Sequence, residues 1–180
     1  ILGHDPHQFY AGRGPFEALG AGIDLTPGDI AFRCNFATVD QDGVLIDRRA
    51  GRITSREAAK LAETLGEITL EEYPDIKIVF KPTVEHRGVL VIRGSGLSPR
   101  IADTDPHQTG VKMLEPKPLD DTEEARRTSA IVTSFLKRAH RILANHPINV
   151  GRRDSGKPPA NSIVLRGCGQ LRPLQPIHER

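Results

Sequence analysis

The chain has 180 residues and carries 25 Lys plus Arg against 23 Asp plus Glu. The net charge is only +2, so bulk charge gives no support for binding nucleic acid or a membrane surface. Its apolar runs fall far short of the roughly 20 residues that span a bilayer, and no secretory apolar segment opens it, which predicts a cytoplasmic protein. The length suits one domain, or one domain with tails.

Residues 1–28 are rich in glycine and proline, with one short helix predicted over Pro15–Leu19, proline suiting a first helical turn. His4 and His7 have H-x-x-H spacing, but Pro6 opposes the helix that would aim both rings at one ion, and no metal is assigned to them. Arg13 lies between two glycines, where it can either reach a phosphate that backbone amides also contact or belong to a plain connector.

The central stretch is Ile30 to Arg52. Strict alternation puts Ile30, Phe32, Cys34 and Phe36 on one face of a strand and Arg33 and Asn35 on the other. A turn at Gln41-Asp42-Gly43 predicts a hairpin in which Thr38 faces Ile46 and Asn35 faces Arg49. Val44, Ile46 and Ala50 then join the apolar face, Asp47 and Arg49 join the polar one, and Arg48 is the exception. Such a polar face is either a solvated surface or a pocket wall for a ligand with phosphate and carboxylate groups. Cys34 reads as a small buried hydrophobe, with a disulfide to Cys168 as the alternative; neither cysteine has zinc-like spacing.

Beyond the hairpin, Thr54 to Leu65 predicts a helix with a Thr54/Glu57 capping box and an apolar stripe of Ala58, Leu61, Ala62 and Leu65. Residues 76–81 and 88–92 predict a second hairpin, with Glu85, His86 and Arg87 near its tip and His86 pointing away from the other two. Residues 93–119 lack periodicity. Their centre gathers Arg100, Asp103, Asp105 and His107, groups that suit proton transfer or Asx-turn chemistry alike. Asp121 to Asn145 is the clearest helix, opened by Asp121 and Glu124, and a short strand is expected at Ser162–Leu165 before the chain loses order in prolines. The expected fold is α+β in two layers: a mainly antiparallel sheet of hairpins, about four strands, covered by two main helices.

The stretches GHDPHQFYAGRGPFEALGAGIDLTPGDIAFRCNFATVDQDG, IDRRAGR, VEHRGVLVIRGSGLS, DTDPH and PPANSIVLRGCG, in this order over nearly the whole chain, resemble the archaeal-type cofactor-independent phosphoglycerate mutases of the alkaline phosphatase superfamily. The resemblance implies a parent enzyme that interconverts 3-phosphoglycerate and 2-phosphoglycerate through a phosphoserine. A core domain with a nucleophilic serine and two divalent ions (Mg, Mn, Zn or Co) is closed over by an inserted domain. In that family the serine precedes the segment like GHDPHQFY and most metal ligands follow the segment like LRGCG. The chain opens on Ile inside such a motif, so it is expected to be a piece of a longer protein, inactive alone and binding no metal.

The implied layout is a connector over 1–22, an inserted substrate-binding domain over 23–147 and a return segment over 148–180. Its implied partners are the two phosphoglycerates and the catalytic core of its own polypeptide. Substrate-binding residues would be Arg33, Asn35, Asp47, Arg49 and Arg52, with Arg13 and Arg87, and the proton-transfer candidates are His86, Asp103, Asp105 and His107. An autonomous anion-binding or protein-interaction module without catalysis is the alternative.

Overall fold

A computed structural model describes residues 12–171, which form four helices and five strands. The expected two-layer α+β architecture holds. Strand β1 (Ile30–Val39) is its axis, because both of its edges are paired. On one edge runs β4 (Arg87–Arg93), itself paired to β3 (Lys77–Pro82), and on the other runs β5 (Ser162–Gln170), all antiparallel. The last strand is more than the short Ser162–Leu165 segment expected, since it pairs with β1 from Ala37 back to Ile30.

The predicted first hairpin is corrected. Strand β2 is only Leu45–Asp47 and touches β1 at its far end, with Thr38 opposite Asp47 and Val39 opposite Leu45. Asn35 does not face Arg49; it lies between Arg87 of β4 and Val164 of β5, whose longer ladders take the hydrogen bonds that the hairpin would have used. Ile46, expected on the apolar face, is 52% exposed, whereas Ala50 is buried as expected. The turn itself is as read, with Gly43 at φ 77° and Asp40 accepting from the backbone N–H groups of Asp42 and Val44.

One face of the sheet carries the main core. Ile30, Phe32, Cys34 and Phe36 of β1 meet Ala58, Leu61, Ala62 and Leu65 of α2 (Ser55–Gly66) and Ile131, Val132, Phe135, Ala139 and Leu143 of α3 (Glu123–Asn145). Each fully buried large apolar side chain contributes about 1.5–3 kcal/mol, which makes this face the chief source of stability. The Thr54/Glu57 capping box is present. For α3 the cap is Thr122, whose hydroxyl accepts from the Ala125 N–H, rather than Asp121 and Glu124.

Among the described residues the opposite face is only partly covered. Helix α1 (Arg13–Gly20), longer by two residues at its start than the predicted Pro15–Leu19, seals one end, where Ala18 and Ile23 pack on Ala31, Val89 and Val91. Gly14 lets it lie directly on β1: a Cβ there would meet the Ala31 carbonyl oxygen. Ala37, Val39, Leu45 and Val164 close the other end.

Within residues 93–119, expected to be irregular, Asp103 and Thr104 hem the outer edge of β5. The Thr104 N–H donates to the Leu165 carbonyl, the Leu165 N–H to the Thr104 hydroxyl, and the Gly167 N–H to Asp103 Oδ1. Helix α4 (Pro147–Asp154) follows α3 directly and opens on His146, whose Nδ1 accepts from the Ile148 N–H. Both cysteines are free thiols, and burial pushes both above the usual thiol range. His4 and His7 lie outside the described residues.

Candidate functional site: an arginine-bearing sheet face

Opposed residues in a ladder point to the same side, so the register shows what lies between the two apolar ends of the partly covered face. One row across it reads Lys81, Val89, Arg33, Arg166, and the next includes Arg87, Asn35 and Val164. Cations therefore line the middle of a face that the two main helices leave bare. Arg33 is held from above by α1, its Nε 2.8 Å from Glu17 Oε1. Arg87 is exposed and Asn35 is buried.

A second group reaches in from the end of β2. Arg48 makes a bidentate pair with Asp105, Nε to Oδ1 at 3.1 Å and Nη2 to Oδ2 at 2.7 Å, and its Nη2 is 3.3 Å from His107 Nδ1. Burial alone would raise the Asp105 pKa, but the Arg48 hydrogen bonds and the His107 N–H outweigh it and hold the carboxyl below its usual range. Asp105 is thus an ionised, fully buried anchor. The charged groups that act on Arg166 join the two groups: after burial, which lowers its pKa, come Arg33, Asp105, Arg48 and Asp103.

The turn after β2 uses up Asp47. Its Oδ1 accepts from the Arg49 N–H and its Oδ2 from the Gly51 N–H, at 2.7 and 2.9 Å. Ala50, Gly51 and Arg52 follow with φ of 48°, 60° and 53°, a left-handed run that costs a non-glycine residue about 1 kcal/mol or more. Arg152 of α4 holds it: Nη2 donates to the Ala50 and Gly51 carbonyls and Nη1 to both oxygens of Glu57. Arg49 and Arg52 are exposed on this turn.

A sequence profile described as 2,3-bisphosphoglycerate-independent phosphoglycerate mutase matches residues 1–149. The chain belongs to this family. It is 52% identical over 180 residues to 2,3-bisphosphoglycerate-independent phosphoglycerate mutase 1 of Methanocaldococcus jannaschii, and 48% identical over 181 residues to the enzyme of that description from Methanobrevibacter smithii. In both cases the match takes in all of this chain and 43% of the relative, so the chain spans less than half the length of the mutases it resembles. The cofactor-independent phosphoglycerate mutase of Thermoplasma acidophilum superposes with a TM-score of 0.83 at 41% identity, over 94% of this chain and 44% of that one.

The residues singled out by sequence divide into groups. Arg33, Asn35 and Arg87 share the bare face, while Asp47, Arg49 and Arg52 belong to the adjoining turn and Arg13 is exposed at the start of α1. Asp103 and Asp105 lie on the loop along β5 with His107, whose side chain is 58% exposed. His86 is set apart. Alternation groups it with Gly88 and Leu90 on the helix-packed side, where burial, then Arg87 and Arg49, lower its pKa and favour the neutral ring. Sequence reasoning missed Arg48 and Arg166. Arg48 broke the alternation and Arg166 lay just beyond the expected strand end, although alternation with Val164 was the available signal. Among the described residues no three His, Cys, Asp or Glu side chains gather as metal ligands.

Proposed function

We propose that the chain is the substrate-binding insertion of a cytoplasmic, metal-dependent phosphoglycerate mutase of glycolysis and gluconeogenesis, in the alkaline phosphatase superfamily. Residues 23–147 form the inserted domain, and residues 1–22 and 148–180 connect it to a catalytic core. The observation that carries this reading is the arginine-bearing face on a chain that aligns end to end with 43% of each of two mutases.

A phosphoglycerate has a phosphate and a carboxylate, and phosphoryl transfer depends on positioning it and neutralising its charge. Arg33 and Arg87, with Arg49 and Arg52 from the turn and Arg13 from α1, clamp these groups on the insertion side. Asn35 orients a hydroxyl. Two divalent ions on the core, which supplies the serine, provide the remaining charge neutralisation. Asp105 is committed to Arg48 and ionised, so it serves by placing Arg48 and His107. His107 is the better placed of the two histidines to move a proton between the substrate hydroxyls, because it is exposed beside Arg48, whereas His86 is buried. Closure of the two parts excludes water and protects the phosphoserine from hydrolysis.

The test is to assay the 180-residue chain and the full-length polypeptide side by side with 3-phosphoglycerate and divalent metal. The reading expects turnover only from the latter, and a loss of about tenfold or more in kcat/KM for Arg33→Met there, the scale of a lost charge-assisted hydrogen bond. Turnover by the chain alone, or an unimpaired Arg33→Met enzyme, would falsify it. The latter result favours an autonomous interaction module.

A further inference from the structure

Arg166 lies on the arginine-bearing face but takes no part in the clamp proposed above, and its surroundings are unusual. Its Nε is buried and has no hydrogen-bond partner among the described residues. A buried donor left without an acceptor costs about 1–3 kcal/mol, so native structures keep few of them, and those few call for an explanation. The local backbone aims this side chain deliberately. Between Ala31 and Arg33 the β1–β5 register shifts, so that Gly167 and Cys168 stand opposite Phe32 alone, and Gly167 takes φ 63°. A glycine bulge of this kind re-aims the neighbouring side chain and recurs beside functional sites. It sets Arg166 directly opposite Arg33 on the bare face.

Like charges opposed in a ladder destabilise it. Here the repulsion is strengthened from two sides. Arg48 approaches from β2, and the start of α1, capped by no side chain at Gly12, packs on the bulge, a Cβ on Gly167 falling 3.2 Å from Arg13 Cβ. The exposed N–H groups of a helix start carry partial positive charge and favour an anion. Asp105 and Asp103 attract Arg166 in turn, but Asp105 is engaged by Arg48, Asp103 accepts from the Gly167 N–H and Glu17 is engaged by Arg33, so none of them supplies an acceptor to Arg166 Nε.

We infer that Arg166 is a further substrate-binding residue and that, paired with Arg33, it forms a two-guanidinium seat for one oxyanion group of the phosphoglycerate. The inference rests on the reading proposed above. An oxyanion between the two side chains supplies the acceptor that Arg166 Nε lacks and cancels the repulsion across the ladder.

The experiment is steady-state kinetics on the full-length mutase with Arg166→Met, Arg166→Lys and Arg33→Met. Arg166→Met is expected to raise KM for 3-phosphoglycerate tenfold or more, and Arg166→Lys, which keeps the charge but not the planar fork, to restore part of the loss. Competitive inhibition by inorganic phosphate and by glycerate assigns the seat. Selective loss of phosphate inhibition in Arg166→Met places the substrate phosphate there, selective loss of glycerate inhibition places the carboxylate, and retention of both overturns the proposal. If Arg33→Met impairs binding and Arg166→Met does not, the seat is wrong but the arginine face stands; if neither does, the underlying reading fails with it. Should Arg166→Met not fold, Arg166→Lys decides: a KM within twofold of the parent, with unchanged phosphate and glycerate inhibition, overturns the seat.

Discussion

Arg152 and Arg166 come from the last part of the chain and have opposite environments. Arg152 is 5% exposed and its hydrogen bonds use all three guanidinium nitrogens: Nε to the Pro158 carbonyl, Nη1 to Glu57, and Nη2 to the Ala50 and Gly51 carbonyls. Arg166 keeps a buried Nε without an acceptor and stands opposite another arginine. A buried cation placed for stability carries its acceptors with it, because desolvation without compensation costs several kcal/mol. Arg93, although partly exposed, likewise has its acceptor in place, with Nε and Nη2 both bound to the buried Asp29 carboxylate. The contrast separates an arginine that holds the protein together from one that is incomplete without a ligand.

Removing Arg152 is the severest way to test the contrast. Arg152→Met leaves the half-buried Glu57 without its cation and the left-handed run at 50–52 without its tether, and losing these charge-assisted hydrogen bonds to a buried guanidinium costs about 3 kcal/mol. Urea unfolding measures it. A cost below about 1 kcal/mol, the scale of an exposed ion pair, would show that Arg152 is not the structural arginine described here.

Acid provides a second, smaller lever. Burial raises the pKa values of Glu57, Asp29 and Asp105, but hydrogen bonds outweigh it and hold all three below their usual ranges: Thr54 and Arg152 for Glu57, Arg93 and Thr26 for Asp29, Arg48 and the His107 N–H for Asp105. A depressed carboxyl binds its proton more readily in the unfolded chain. Its stabilisation is therefore present above the ordinary carboxyl range, about pH 4 to 4.5, and is lost as pH falls through the lower folded values. The expected result is a melting temperature that declines steadily below about pH 4.5. The decline should be shallower in Arg152→Met, which has lost one of the Glu57 contributions already, and unchanged in Arg166→Met, which forms no such pair. An equally steep decline in Arg152→Met would remove Glu57 from the account.

How far these arrangements could be read from the chain depends on whether their causes are local. The Thr54/Glu57 box and the apolar stripes of α2 and α3 were legible because a helix satisfies its hydrogen bonds within a few residues. The alternation of β1 correctly gave its two faces, but a face does not name a partner. Asn35 was matched to Arg49 across a near turn, whereas the ladder pairs it with residues 52 and 129 positions away. The left-handed run at Ala50 and Arg52 gave no warning, since neither residue is glycine; its cause is Arg152, about 100 residues downstream. Thr122 lost to Asp121 and Glu124 as the expected cap because all three sit within one turn and spacing alone does not choose between them. Of the bare face, Arg33 and Asn35 were found by period, whereas Arg87 was read only as lying near a hairpin tip. Arg166 was not found, because the strand was expected to stop at Leu165, whereas the glycine bulge at Gly167 lets it run on to Gln170.

The smallest expected effect sharpens the contrast most. Replacing both members of a satisfied polar pair with apolar groups is close to neutral, and replacing a lone buried donor relieves its desolvation outright. Arg166→Met fits the second case. The methionine keeps much of the aliphatic stem, removes the orphaned Nε and ends the repulsion with Arg33 and Arg48 along with the opposing attraction of Asp105 and Asp103, leaving relief from desolvation as the main effect. The variant is expected to match the parent or exceed it by up to about 1 kcal/mol in urea unfolding without ligand. The order reverses when phosphoglycerate is added: the parent gains stability as RT ln(1 + [L]/Kd), and the variant, with its weaker Kd, gains less at the same concentration. A loss of 2 kcal/mol or more without ligand would place Arg166 beside Arg152 among the structural arginines and dissolve the distinction. Crossing stabilities, the variant ahead without ligand and behind with it, have no explanation in a structural role alone, because a residue that only supports the fold cannot be dispensable until the substrate arrives.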